Sequence, residues 1–378
     1  MFRQTPPMGW NSWNTFGANI NEQLIKEMTD ALVSTGLRDA GYEYVIIDDA
    51  WQEPRRENGH LVPDRNKFPS GMKALGDYIH SKGMKFGMYS STGHLTCLGL
   101  PASYEHEFID AADFASWSVD YLKYDYCNRP FRIPSEMLYR RMGLALAGCG
   151  RDIFFAACSW GKDGTPEWIR GTGAGSWRST GDISDSWSAV RDLACAQHDK
   201  LLSGAINCFN DMDMLIVGMR GKGNVAVTGC TDDEYRTHFA LWSFMASPLI
   251  IGCDVRNIDE ESLKILKNKD IIRINQDPDG RLPLSLGGPA PFAFIGKNGY
   301  SLSRLLSDGS VAVGMFNMDD DTEISFQFSL YDVGLDKEHW GRTVLKELYT
   351  GEEIRPECGF VYAGVKPHCC KIWRLTVE

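Results

Sequence analysis

Short apolar runs alternate with amphipathic stretches from the start of the chain to about residue 280, and this rhythm restricts the fold more than any other feature. In "YEYVIIDDAW" the run Val45, Ile46, Ile47 has no polar face, so both faces of that strand must be covered. "NEQLIKEMTDALVSTG" has helical spacing instead. Leu24, Ile25, Met28, Ala31 and Leu32 fall on one face, Asn21 can cap the start and Gly36 can stop the end. "SGMKALGDYIHSKG" repeats the pattern with Ser70 as cap and Gly83 as stop, and "TDDEYRTHFALWSFMASP" carries a capping box in Thr231 and Glu234. The strand candidates are "MGWNSW", "YEYVIIDDAW", "KFGMYS", "DYLKYD", "DIFFAACSW", "GSWRSTGD", "AINCFND" and "PLIIG". Eight strands with helical material between them predict an α/β fold, a (β/α)8 TIM barrel. An open doubly wound sheet is the alternative that the pattern alone leaves.

After "RLPLSLGGPAP" the rhythm changes. "TEISFQFSL" sets Ile324, Phe326, Phe328 and Leu330 strictly against Ser325, Gln327 and Ser329, "GSVAVGMFN" and "CCKIWRLTVE" read similarly, and helix signals stop. The expectation is a barrel over residues 1–281 followed by a small antiparallel β-sandwich domain over 282–378. No internal repeat or low-complexity tract interrupts either part.

Composition removes whole classes of function. A net charge of -11 repels nucleic acid and anionic membrane surfaces, so neither is expected as a partner. No apolar run approaches the roughly 20 residues of a spanning helix. The start, "MFRQTPPMGWNSWNTFG", has no basic-then-apolar leader, which predicts a cytoplasmic protein. The eleven cysteines are scattered and the eight histidines form no HxxxH or HxH group, so no metal and no cofactor is expected. "GTGAGSW" at 171–177 resembles a dinucleotide fingerprint, but its third glycine comes one residue early and it precedes a strand rather than following one. Composition says nothing about oligomeric state.

One strand is unusual. "VDYLKYDYCN" reads as β, yet Lys123 and Asp125 share one face of it. In a barrel, chemistry sits at the C-terminal ends of the strands, so polar residues closing apolar runs identify the site. They are Asp48 and Asp49, Tyr89, Lys123 and Asp125, the "CSW" of Cys158, Ser159 and Trp160, Arg178 with Asp182, and Asp213. Trp10, Trp13, Trp51, Trp160 and Trp177 lie beside them. One aspartate alone is more often a turn residue. Carboxylates, a lysine, an arginine and several tryptophans together suit a small-molecule carbohydrate, whose hydroxyls take the polar groups and whose C–H face stacks on indole.

"TPPMGWNSWN", "IIDDAW", "YLKYDYC", "WRSTGDISDSW" and "NDMDML" resemble, in order and spacing, the retaining α-galactosidases and α-N-acetylgalactosaminidases of glycoside hydrolase family 27. The resemblance implies a barrel with an antiparallel β-domain, and cofactor-free hydrolysis of terminal α-linked galactose-type sugars. It places Asp125 on the nucleophile and Asp182 on the general acid/base. It also places Asp48 and Asp49 on the sugar's O4 and O6, Lys123 on O3 and O4, Arg178 on O2, and Trp13 on the stacking floor. Tyr89, Asp213 and Met214 match further lining positions. Cys97 and Cys127 match half-cystines joining the loops after strands three and four, although a cytosolic protein would leave them as free thiols beside the pocket. Ala50 stands where secreted animal members keep another cysteine. A nucleophile must stay ionised, so Lys123 is expected to hold Asp125 low. The acid must keep a proton, so Asp182 is expected to be raised, with Asp125 as a source of negative charge. Carboxyls roughly 5 Å apart would give retention through a covalent intermediate.

Two departures concern specificity. Galactosidases of the family read Cys-Glu-Trp where this chain reads "CSW"; acetylgalactosaminidases carry the serine, which leaves room for an acetamido group. The following "GKDGTPEW" is nonetheless nearer the plant and bacterial galactosidase loop, and "NCFNDMDM" differs from the usual Gly-Gly-Trp-Asn-Asp-Pro-Asp-Met. The expectation is an α-galactosidase, with α-N-acetylgalactosaminidase as the alternative and a non-catalytic galactose-binding protein as the rival from another class.

Overall fold

A computed structural model describes residues 2–197, 199–286, 299–356 and 358–378. All eight expected strands form: β1 (Met8–Asn11), β2 (Tyr44–Ile46), β3 (Lys85–Ser91), β4 (Tyr121–Asp125), β5 (Phe154–Ala157), β6 (Ser176–Arg178), β7 (Phe209–Asp211) and β8 (Leu249–Ile251). They pair in parallel in the order β8-β1-β2-β3-β4-β5-β6-β7. Leu215, just past β7, bridges Ile251 in parallel, and its N–H reaches the Ile250 carbonyl at 2.7 Å, so the seam between β7 and β8 is spanned too. This is the (β/α)8 barrel, not an open sheet.

Helices α1 (Glu22–Ser34), α2 (Gly71–Ser81), α3 (Glu107–Ser116), α4 (Ser135–Gly148), α5 (Trp187–Cys195), α6 (Asp232–Phe244), α7 (Glu260–Leu266) and α8 (Lys269–Asn275) accompany the strands. Leu24, Ile25, Met28, Ala31 and Leu32 are buried as their spacing required, and Asn21 accepts the Leu24 N–H at 2.8 Å. The Thr231–Glu234 capping box starts α6. Ser70 departs from expectation. Its side chain caps nothing; its own N–H donates to Glu22 of α1 at 3.0 Å, because a tertiary carboxylate reached that end of α2 first.

Two layers of apolar side chains use the period of the strands. Leu122 and Tyr124 point out to the helices, whereas Tyr121 joins Tyr44, Ile46, Phe154, Ala156 and Ile250 inside the barrel. Lys123 and Asp125 follow Tyr121 at steps of two, so they continue its inward face toward the C-terminal rim.

Beyond the barrel, β9 (Gly299–Leu305), β10 (Val311–Asn317), β14 (Cys370–Val377) and β12 (Thr343–Glu347) form most of a six-stranded antiparallel sheet. It faces the pair β11 (Ile324–Ser329) and β13 (Phe360–Val365). Val313, Met315, Leu345 and Trp373 of one sheet meet Phe326, Phe328, Val361 and Val365 of the other in a separate core. The sandwich docks on α6: Phe244 meets Phe316 edge-on at 5.7 Å, and Thr237 donates to the His368 carbonyl at 2.8 Å.

Gly143 gives this architecture a test. Glycine inside a helix ordinarily costs up to about 1 kcal/mol relative to alanine. In α4, however, a Cβ at this position would stand 1.8 Å from the Thr172 carbonyl oxygen. Gly143→Ala is therefore expected to lower the melting temperature in differential scanning calorimetry; a rise would show that the contact relaxes freely.

Candidate active site

The strand ends converge as the sequence requires. Asp48 ends the β2 run, and its Oδ2 accepts from Lys123 Nζ and from Asn11 Nδ2, each at 2.8 Å. Asp49 accepts the Ala50 N–H at 2.7 Å and the Leu98 N–H at 3.1 Å, which ties it to the loop after β3. Burial raises the Asp49 carboxyl, with those two N–H groups working against it. Lys123 lies 5.4 Å from the centre of the Tyr89 ring. Burial alone would lower the Lys123 ammonium, but Asp48, Cys158 and Asp125 outweigh it and the group is raised well above its ordinary value.

A second cation organises the other side. Arg178, at the end of β6, pairs with Asp213 at 2.8 Å and Asp182 at 3.0 Å, and lies 3.6 Å from the Cys158 sulfur. Asp213 also accepts the Ile183 N–H at 2.7 Å. Its backbone is left-handed (φ 82°), as are those of Ala50 (φ 72°) and Trp160 (φ 56°), so three loops at this rim carry strained non-glycine residues. Met214 is buried in the barrel interior, and Trp13 packs against that cluster.

Lys123 makes its ion pair with Asp48, which lies beyond β3 in the sheet, because both side chains point into the barrel. Two expectations are corrected here. Asp125 is not held low. It is 6% exposed, and burial pushes its carboxyl up to about 6 against the opposing pull of Lys123 and the Tyr126 N–H, with Asp48 and Asp182 adding to the rise. Asp182 is not raised: burial acts in that direction, but Arg178 and Lys123 overcome it and hold the carboxyl below the usual range. Its side chain is 71% exposed, unlike any other carboxylate of the cluster.

The "CSW" segment divides. Cys158 faces the cavity beneath Arg178. Ser159 is fully buried, with its hydroxyl 2.8 Å from that of Thr165 and 3.4 Å from the Arg178 carbonyl, so it is occupied within its own loop. Trp160 turns edge-on to Tyr126 at 5.8 Å, under Lys162. Cys97 and Cys127 are joined as a disulfide, Cα atoms 5.1 Å apart, rather than standing as free thiols. Tyr89 Oη and Asp125 Oδ2 lie 3.6 and 3.8 Å from the Cys97 sulfur.

Two residues of this cavity escaped the sequence reading. Asn11 orients Asp48, and Asp211 lines the cavity beside Lys123, Arg178 and Asp213. Burial pushes the Asp211 carboxyl up to about 6 despite Arg178. Both are the last residues of their strands, so the strand-end rule applied without preference for motif positions would have found them.

Comparison with known proteins agrees with this geometry. The family model described as Alpha galactosidase A matches residues 5–277, and that of the Alpha galactosidase C-terminal beta sandwich domain matches residues 301–375. An α-galactosidase of Cyamopsis tetragonoloba is 41% identical over 99% of this chain and 86% of its own length. Among solved structures, α-galactosidase I of Mortierella vinacea superposes with a TM-score of 0.87 at 31% identity, covering 100% of this chain and 98% of that one. An α-galactosidase of Saccharomyces cerevisiae with raffinose gives 0.87 at 28% identity, covering 99% and 98%. Strand order, rim chemistry and full-length similarity lead to one assignment: the chain belongs to the α-galactosidases of glycoside hydrolase family 27.

Proposed function

We propose that this chain hydrolyses terminal α-linked galactose from small saccharides with retention of configuration, Asp125 acting as nucleophile and Asp182 as acid and base. The observation that carries this reading is the contrast between the two carboxyls. Asp125 is buried with one oxygen fixed by the Tyr126 N–H, and Asp182 is exposed yet near enough to act on the charge of Asp125. In the first step Asp125 bonds to the anomeric carbon while Asp182 gives its proton to the departing oxygen. In the second, Asp182 takes a proton from water, whose oxygen displaces Asp125. Asp48 and Asp49 receive O4 and O6, Lys123 reaches O3 and O4, Arg178 takes O2, and Trp13 supports the sugar's apolar face.

Arg178 holds two carboxylates in the free protein. A sugar hydroxyl accepting from it would loosen Asp182, the exposed one, and let that group pick up its proton. In the free protein the one proton of the pair sits on Asp125, and the active arrangement, with that proton on Asp182, is reached when the sugar is bound. With Asp182 held below the usual carboxylate range and Asp125 pushed up to about 6, the pair carries a single proton on the acidic side of pH 6. The profile of kcat/KM against pH is therefore expected to peak on the acidic side of neutrality and fall above about pH 6. A plateau reaching pH 8 would contradict the pairing.

The acetamido question turns on Ser159. Fully buried and paired with the Thr165 hydroxyl, Ser159 presents no group to an N-acetyl substituent, whose unpaired amide would cost about 1–3 kcal/mol. Nitrophenyl α-galactoside is expected to exceed the α-N-acetylgalactosaminide by roughly tenfold or more in kcat/KM. The opposite order would reject the substrate but not the chemistry. Asp125→Asn is expected to retain under about a hundredth of wild-type activity. Azide should restore Asp125→Gly with formation of a β-galactosyl azide; no rescue would remove Asp125 as nucleophile.

The same carboxyl has a cost in stability. A folded-state value of about 6, above the ordinary aspartate value, means that the folded chain favours the neutral acid. Stability from this group is thus full below pH 4 and lost as pH rises toward 6, by roughly 3 kcal/mol. Asp125→Asn should melt above wild type at pH 7.5, with the gap closing toward pH 4. An unchanged gap across that range would show that burial does not govern the group.

A further inference from the structure

Two sulfurs and one carboxylate oxygen meet where the loops after β3 and β4 cross. The donor atoms of Cys97, Cys127 and Asp125 all lie within 4.8 Å of one another. Asp125 Oδ1 is fixed by the Tyr126 N–H at 2.8 Å, and Oδ2 is the oxygen on the sulfur side, 3.8 Å from Cys97. Contacts besides the disulfide also hold the loops together. Ser91 Oγ donates to the Cys127 carbonyl at 3.1 Å, and Asn128 Nδ2 donates to the Thr96 carbonyl at 2.8 Å. Gly93 packs so closely that a Cβ there would stand 2.2 Å from the Cys127 carbonyl oxygen. Breaking the S–S bond therefore leaves both sulfurs beside Asp125, and Cys97 is exposed, which gives an ion a way in.

We propose that the reduced Cys97–Cys127 pair, together with Asp125 Oδ2, forms a Zn2+ site whose filling blocks the sugar pocket. Two thiolates and a carboxylate, with water as fourth ligand, suit zinc in donor type and number. The Tyr126 N–H on Asp125 Oδ1 holds the carboxylate so that Oδ2 stays on the sulfur side. A phosphine reductant supplies two electrons: the S–S bond breaks, water gives its two protons to the sulfurs, and its oxygen goes to phosphorus. A cytosolic thiol pool would do the same by disulfide exchange. Zinc then displaces one proton from each thiol. The disulfide form has no thiolate to offer and binds no ion here. This step needs the Asp125 oxygen and not its role in catalysis.

The test uses the full chain, oxidised or reduced with tris(carboxyethyl)phosphine, desalted without oxygen and titrated with zinc sulfate against a chromogenic chelator. The reduced protein is expected to bind about one zinc more per chain than the oxidised protein, with α-galactoside hydrolysis falling roughly tenfold at saturation and returning on addition of EDTA. Cys97→Ser and Cys127→Ser keep the nine other cysteines, and each should lose the extra zinc. Should either fail to fold, iodoacetamide on the exposed Cys97 of reduced wild type gives the same reading. Equal zinc in both redox forms, or extra zinc retained after either serine substitution, would overturn the site whatever Asp125 does in catalysis. Extra zinc with undiminished hydrolysis would overturn the blockade.

Discussion

Two cations at the C-terminal rim, the part-buried Lys123 and the buried Arg178, are what the rest of the site depends on. Around them stand Asp48, Asp125, Asp211 and Asp213, all largely withdrawn from water, and Asp182, which is not. Ionised carboxylates in such a place are tolerated only when paired and hydrogen-bonded. Each cation divides its charge: Lys123 between Asp48 and the field at Asp125, Arg178 between Asp213 and Asp182. Carboxylates outnumber cations, so some must sit above their ordinary values. Asp125 and Asp211 are the two pushed up to about 6.

That shortage of positive charge suits a neutral polyhydroxylated ligand better than an anionic one. Hydroxyls can donate to the carboxylates that no cation satisfies and accept from the two cations, so a sugar completes a hydrogen-bonding set the protein leaves open. The strain at Ala50, Asp213 and Trp160 lies at the same rim, where the scaffold beneath is rigid enough to impose it. Eight paired strands and an interior of aromatic and aliphatic side chains supply that rigidity.

The loops after β3 and β4 couple this rim to the surface. Leu98 places its N–H on Asp49, and its neighbour Cys97 is bonded to Cys127, two residues past Asp125. A short segment therefore touches both the group assigned to sugar recognition and the group assigned to bond making. Ser91, Asn128 and Gly93 hold that segment by contacts additional to the disulfide.

By itself the sequence determined the barrel, the change to a sandwich, and most of the rim. Continuous apolar runs demand cover on both faces, alternation at period two demands one core face, and polar residues closing apolar runs must end where the strands end. These are local rules, and Tyr121, Lys123 and Asp125 obey them together. Tertiary structure alone decided which charges meet. Lys123 is two residues from Asp125 but pairs with Asp48, 75 residues away, because both side chains point into the barrel from strands that flank β3. It also decided that Ser159 spends its hydroxyl on Thr165, that Ser70 leaves its helix uncapped, and that Asp125 rather than Asp182 carries the raised carboxyl. A side chain's pattern in sequence sets the face it points to. Its partner and its titration depend on burial and on charges brought from elsewhere in the chain, which no local spacing encodes.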